Sequence, residues 1–315
     1  MKYLLGIIVA VLAIALVYVT LSPPDAEQVE DGKVQISASF FPLADFAKNV
    51  GGDLVTVSLV VPVGAEAHDY SPSPQEIINL QQADLFLFNG ADLDPWAEAL
   101  VGDLESAGVE TREIAEFVSL AAAEEEEDGD EHEEEEDEHG KFDPHIWLDP
   151  VLAREQVEVI LDALSEIDPD NAQAYEDNAT FYIRELSELN RAYETGLVKC
   201  ESRDVIVAHD AFGYLGRRYN INFIAITGLS PHAEPSARTF GELQELAQER
   251  EIKYVFFETL TSPRLAEALA NDIGAETLVL NPVEGLTQEE TEAGENYISV
   301  MQNNLQNLQL AMGCS

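Results

Sequence analysis

The segment spanning residues 150–198 constrains this chain more than any other. It holds no glycine before Gly196, and its one internal proline, Pro169, sits between Asp168 and Asp170. Tyr175, Phe181, Ile183, Leu186, Leu189 and Tyr193 recur at helical spacing. A continuous helix over residues 170–197 would be about 42 Å long, enough to run along two lobes and join them. The competing arrangement is two stacked helices inside one domain.

Both flanks alternate strand and helix patterns. Ahead of the segment, residues 34–40 read as a strand, 42–50 as a helix stopped by Gly51-Gly52, and 54–61 as a strand ending at Pro62. Ser71-Pro72-Ser73-Pro74 signals a helix start over residues 75–82, and 84–88 is again a strand. Behind it, residues 204–208, 221–226, 253–257 and 277–280 read as strands, with helices over 211–219, 240–251 and 263–273. Such alternation predicts an α/β chain of two lobes with mainly parallel sheets, joined by a long rigid backbone helix. The expected division is residues 1–33, 34–168, 169–198 for the linking helix, and 199–315.

The first part carries the targeting information. Lys2 precedes an apolar run over residues 3–19, which at helical rise spans about 26 Å, near the short limit for a bilayer. No Ala-x-Ala cleavage site and no cysteine for lipid attachment follow. The expectation is an exported protein held to the membrane by this segment, with a cleaved signal as the alternative. Residues 22–33, polar with two prolines, read as a tether. Cys200 and Cys314 form an even pair, which in an exported chain permits a disulfide; two free thiols are the alternative.

Charge narrows the partners. There are 16 basic and 61 acidic residues, a formal charge of −45. Residues 124–138 hold 13 acids in 15 positions, yet without them 48 acids still face 16 bases. Nucleic acid and anionic lipid surfaces need basic patches and are disfavoured as partners; cations are attracted. The acidity also suits a salty habitat. Residues 124–140 are expected to be a disordered loop, and their His132 and His139 suggest a weak metal-collecting arm.

Three of the six histidines, His68, His145 and His209, stand where apolar runs give way to turn or helix signals. Residues so far apart in sequence meet only in a folded cleft, and imidazole suits zinc and related transition metals. Strand ends in the second half present His209, Glu258 and Asn281, on the side of an open α/β sheet where ligands bind.

Local sequences carry a family likeness. They are PVGAEAHDYSPSP at 62–74, DPHIWLDP at 143–150, HDAFGYL at 209–215 and TGLSPHAEP at 227–235. In order and spacing they resemble the periplasmic metal-binding proteins of ABC transporters for zinc and manganese, from about Val34 to the end. The resemblance implies two α/β lobes across a backbone helix, metal held between them by His68, His145 and His209, and delivery to an ABC permease by a monomer. A histidine rather than a carboxylate at 209, and the acidic histidine-bearing loop, resemble the zinc branch more than the manganese branch. The fourth position is open among water, Glu258 and Asn281, since relatives often place aspartate where Asn281 stands; His232 is a minor candidate. Three readings compete with zinc delivery. They are a manganese or iron homologue, a surface metal-binding adhesin, and a zinc hydrolase with Glu258 as general base.

Overall fold

A computed structural model of the chain describes residues 32–122, 142–231, 233 and 235–315. The apolar N-terminal run, the acidic segment with His132 and His139, and His232 lie outside them. Among the described residues no helix is long and apolar enough to cross a membrane.

The first lobe runs β1 (Val34–Ala38), α1 (Phe41–Gly51), β2 (Val55–Leu59), α2 (Pro74–Leu80), β3 (Leu85–Phe88), α3 (Pro95–Glu98), α4 (Val101–Ala107) and β4 (Glu110–Glu113). Its four strands are parallel in the order β2-β1-β3-β4. Two helices follow, α5 (Pro150–Ile167) and α6 (Ala172–Gly196). The second lobe runs β5 (Asp204–Val207), α7 (Gly213–Tyr219), β6 (Asn222–Ala225), α8 (Ala237–Glu249), β7 (Tyr254–Phe257), α9 (Arg264–Ile273) and β8 (Glu276–Val279). Its parallel order, β6-β5-β7-β8, repeats the first. Finally α10 (Gln288–Ala293) and α11 (Tyr297–Met312) close the chain. In each sheet the connections diverge beside the first strand, which leaves a crevice at the carboxyl ends there.

The long helix forms where the spacing predicts, over 25 residues or about 37 Å. Its first half holds the first lobe: Asn178 donates to the Val50 carbonyl at 3.0 Å and the Tyr182 hydroxyl to Asp45 at 2.8 Å. The second half holds α11, where the Tyr193 hydroxyl donates to the Met301 carbonyl at 2.7 Å and Gln309 to the Gly196 carbonyl at 3.2 Å. The stretch before it is a helix too: α5 starts at Pro150, with the Asp149 carboxylate accepting from the Val151 N–H at 2.8 Å, and packs against α6. The region therefore combines the spanning helix with a stacked partner.

Strand side chains divide by parity. Leu85 and Leu87 face one core while Phe86 and Phe88 face another; Val205 and Val207 separate likewise from Ile206. Both faces of each sheet are thus covered, as parallel sheets require. The inner faces of both sheets, α1, α5, α6 and α11 share one apolar cluster containing the fully buried Trp147, Tyr175, Tyr193 and Tyr297. Hydrophobic burial therefore ties the lobes to each other as well as to themselves. One strand escaped the sequence pattern. β4, Glu-Thr-Arg-Glu, is polar because it lies at the sheet edge, and its pairing to β3 alone makes it a strand.

Cys200 and Cys314 are joined by a disulfide across 114 residues of chain. Backbone bonds from Glu201 N–H to the Met312 carbonyl and from Ser315 N–H to the Lys199 carbonyl, both 2.9 Å, flank it. Closing so long a loop contributes about 4 kcal/mol by restricting the unfolded chain. Replacing both cysteines with serine should lower the Tm by roughly 5–10 °C. Equal melting of the two proteins in calorimetry would show that the bridge adds no stability.

Candidate metal centre

His68 comes from the long turn after β2. Glu66 folds that turn by accepting from the His68 N–H at 2.9 Å and the Asp69 N–H at 3.3 Å. Farther on, Ser73 and Glu76 form a capping box at Pro74, the helix start expected from the sequence. His145 lies in the DPHIWLDP stretch, whose single helical turn spans Ile146–Leu148. Here Asp143 Oδ1 accepts from both the His145 backbone N–H, at 3.0 Å, and Nδ1, at 2.9 Å. Arg217 in turn donates to Asp143 Oδ2 at 3.2 Å. His209 follows β5, in a turn closed by Asp210 N–H to the Gly228 carbonyl at 3.1 Å. Its Nδ1 donates to Glu258 Oε1 at 2.5 Å. Carboxylates on the Nδ1 of His145 and His209 fix both rings and leave each Nε2 facing the cluster.

The three imidazoles converge, and a fourth group joins them. His68, His145, His209 and Glu284 each offer one donor atom, all within 4.8 Å of one another. His68 Nε2 is 3.2 Å from His145 Nε2. Glu284 Oε1 is 3.5, 3.6 and 3.5 Å from the Nε2 atoms of His68, His145 and His209. A tetrahedral zinc site with bonds of about 2.0–2.2 Å has ligand–ligand edges of about 3.3–3.6 Å. His209 Nε2 and Glu284 Oε1 are buried without a hydrogen bond of ordinary geometry. Nitrogen lone pairs and a carboxylate thus face a common point, an arrangement that a divalent cation satisfies.

Glu258 and Asn281 stand close by but outside the cluster. Glu258 approaches His209 from the Nδ1 side, so it orients the ring and does not face the common point. Asn281 is committed elsewhere: its Oδ1 accepts from the Val283 N–H at 2.7 Å, and its Nδ2 donates to Thr259 at 3.1 Å and Glu290 at 3.0 Å. That turn carries the chain past the strand end to Glu284, the residue that sequence reasoning missed. Val283, at φ 62°, is a buried β-branched residue in the left-handed region, which costs about 1–3 kcal/mol. One signal was available: an acid inside the apolar run NPVEGL, only three residues past Asn281.

Electrostatics follow from this crowding. Burial opposes a charge on His209, but the Glu258 carboxylate and then Glu284 overcome it and raise its pKa to about 10. Burial opposes a charge on His145 as well, and hydrogen bonds to Asp143 and Glu284 raise it. Burial also works against the Glu284 carboxylate, yet the charge of His68 and hydrogen bonds from the histidines hold it well below the usual carboxylate range. Burial, then the charge of Glu284, push Glu66 up.

Comparison with known proteins points the same way. The model of the family described as "ZnuA: Zinc-uptake complex component A periplasmic" matches residues 36–311. The chain is 40% identical over 278 residues to the zinc-binding lipoprotein AdcA of Streptococcus pneumoniae, covering 88% of this chain but only 56% of AdcA. It is also 40% identical, over 276 residues, to the high-affinity zinc uptake system protein ZnuA of Bacillus subtilis, covering 87% of this chain and 86% of that protein. The crystal structure of the Zn(II)-bound ZnuA-like domain of S. pneumoniae AdcA superposes with a TM-score of 0.76 at 39% identity, covering 89% and 99% of the two chains.

The raised pKa of His209 sets a pH dependence. Its protonation stabilises the metal-free fold; that contribution is complete below about 6.5 and lost as pH rises through about 10. A cation needs the same nitrogen free of its proton, so cation affinity should fall as pH drops. Calorimetry at pH 7.5 in buffers of different ionisation enthalpy should read about one or more protons released per zinc. A value of zero would show that the metal-free His209 is already neutral there.

Proposed function

Since the chain belongs to the zinc-uptake complex component A family, we propose that it captures Zn2+ outside the cytoplasm and hands it to an ABC permease. The ligands are His68, His145, His209 and Glu284. His68 and His145 come from the first lobe, assigned to residues 34–168, and His209 and Glu284 from the second, 199–315. The observation that carries this reading is the convergence of four donors within 4.8 Å of one another, with Glu284 Oε1 3.5–3.6 Å from each imidazole Nε2, close to the edge of a zinc tetrahedron.

The donor set favours zinc over manganese. Three imidazoles and one carboxylate suit a four-coordinate borderline ion, whereas harder manganese favours more oxygen donors and higher coordination. It also favours capture over hydrolysis. A catalytic zinc keeps one position open for water, and here Glu284 fills that position. Glu258, the would-be general base, is held against His209 Nδ1. The N-terminal segment serves as the membrane anchor, the protein works as a monomer, and residues 124–140 with His132 and His139 collect zinc weakly.

Calorimetry with wild-type protein should find one tight zinc, weakened by a factor of roughly a hundred or more in His145→Ala because a buried ligand is lost. Manganese should compete poorly. Esterase and peptidase activity in the zinc-loaded protein would instead favour the hydrolase reading. Deleting residues 124–140 should leave the tight site intact and remove additional weaker zinc. Equal stoichiometry with and without the segment would rule out the collecting role.

A further inference from the structure

Glu284 reaches the cluster on a backbone that its own sequence does not favour. Val283 just before it is β-branched, fully buried and left-handed at φ 62°, and such a residue persists only where its surroundings over-determine it. The restraint comes from α11. Asn304 is buried there, 2% exposed, and both ends of its amide are spent on one residue. Its Nδ2 donates to the Asn281 carbonyl at 2.7 Å, and its Oδ1 accepts from the Asn281 N–H at 2.9 Å. One side chain thus satisfies both backbone groups of Asn281 just beyond the end of β8, as a neighbouring strand would. Held this way, Asn281 can accept from the Val283 N–H at 2.7 Å and fix the turn. From the other lobe, the Trp147 indole donates to the Pro282 carbonyl at 2.7 Å.

We propose that Asn304 is a positioning residue for the cation site, holding Asn281 so that Val283 stays left-handed and Glu284 closes the ring of imidazoles. The inference rests on reading the four-donor cluster as a zinc site. Asn304 is not one of the four donors, and among the described residues its other side-chain hydrogen bond is to the Met301 sulfur at 3.9 Å, so its influence on a cation runs through the loop. Without it, Val283 can relax to an ordinary negative φ. The following peptide then turns, the carboxylate leaves the cluster, and water takes its place on the ion.

The test is a double-mutant cycle on the full chain, using Asn304→Asp, Glu284→Ala and the pair. Asn304→Asp keeps the side-chain size and the acceptor but sets an oxygen against the Asn281 carbonyl. Zinc affinity is read by competition with a chromophoric chelator, and ligand geometry by the visible spectrum of bound Co2+. Each single variant should weaken zinc by roughly tenfold to a hundredfold. The pair should be no weaker than Glu284→Ala alone. The Co2+ spectrum of Asn304→Asp should move to that of Glu284→Ala. Val283→Gly, free to be left-handed, should restore part of the affinity that Asn304→Asp loses. Wild-type affinity in Asn304→Asp, or the same loss in the Glu284→Ala background, would overturn the inference. Failure of the wild-type protein to bind zinc would instead overturn the reading of the site.

Discussion

One carboxylate among three imidazoles, with almost no water to screen them, is the constraint around which this molecule is built. Nitrogen lone pairs and a buried negative charge repel one another unless something positive lies between them. In the metal-free protein that role falls to protons: against the cost of burial, the Glu258 and Glu284 carboxylates raise the His209 pKa to about 10, and the charge of His68 with hydrogen bonds from the histidines keeps Glu284 ionised. A divalent ion does the same task with one charge centre. The rest of the architecture keeps the four donors close although they arise from separate stretches of chain. Asp143 and Glu258 lock two rings, Glu66 folds the turn under the third, and a strained loop returns the carboxylate.

The lobes cannot move far without breaking this arrangement, and apolar packing gives the same result independently. The inner faces of the two sheets share one core with α1, α5, α6 and α11. Trp147, two residues from His145, donates to Pro282 in the other lobe, and the Tyr297 hydroxyl donates to the Trp147 carbonyl at 2.5 Å. Gly64, in the His68 loop, donates to the Leu286 carbonyl at 2.9 Å. The liganding loops are thus fastened across the cleft by their own backbones, and adjustment on metal exchange falls to loops more than to a hinge.

Much of this could be read from the chain, and the exceptions share a cause. Strand and helix periods, the Ser73 cap and the glycine-poor segment after Pro150 are local signals, and the corresponding elements formed where they predicted. The three histidines were legible because each ends a strand or precedes a turn. Glu284 was harder to read, because it lies in a loop whose start, Asn281, is held by Asn304 of α11, a contact that no local pattern encodes. Asn281 and Glu258, expected at strand ends, lie beside the cluster without offering it a donor atom. Their neighbourhood follows from strand order, but whether they face the ion or a ligand depends on contacts that no local pattern encodes. β4 was invisible because an edge strand of Glu-Thr-Arg-Glu has no apolar alternation to reveal it.

Exposure is unequal among the four donors: the His68 side chain is 10% exposed, against 0% for His145 and His209 and 2% for Glu284. With a zinc ion held as proposed, this exposure would make the bond to His68 the most accessible of the four. An incoming chelator meets His68 first, and can attack the ion only after that bond has opened. Exchange should then proceed through a mixed intermediate, its rate levelling off at high chelator concentration at the opening rate of a single imidazole.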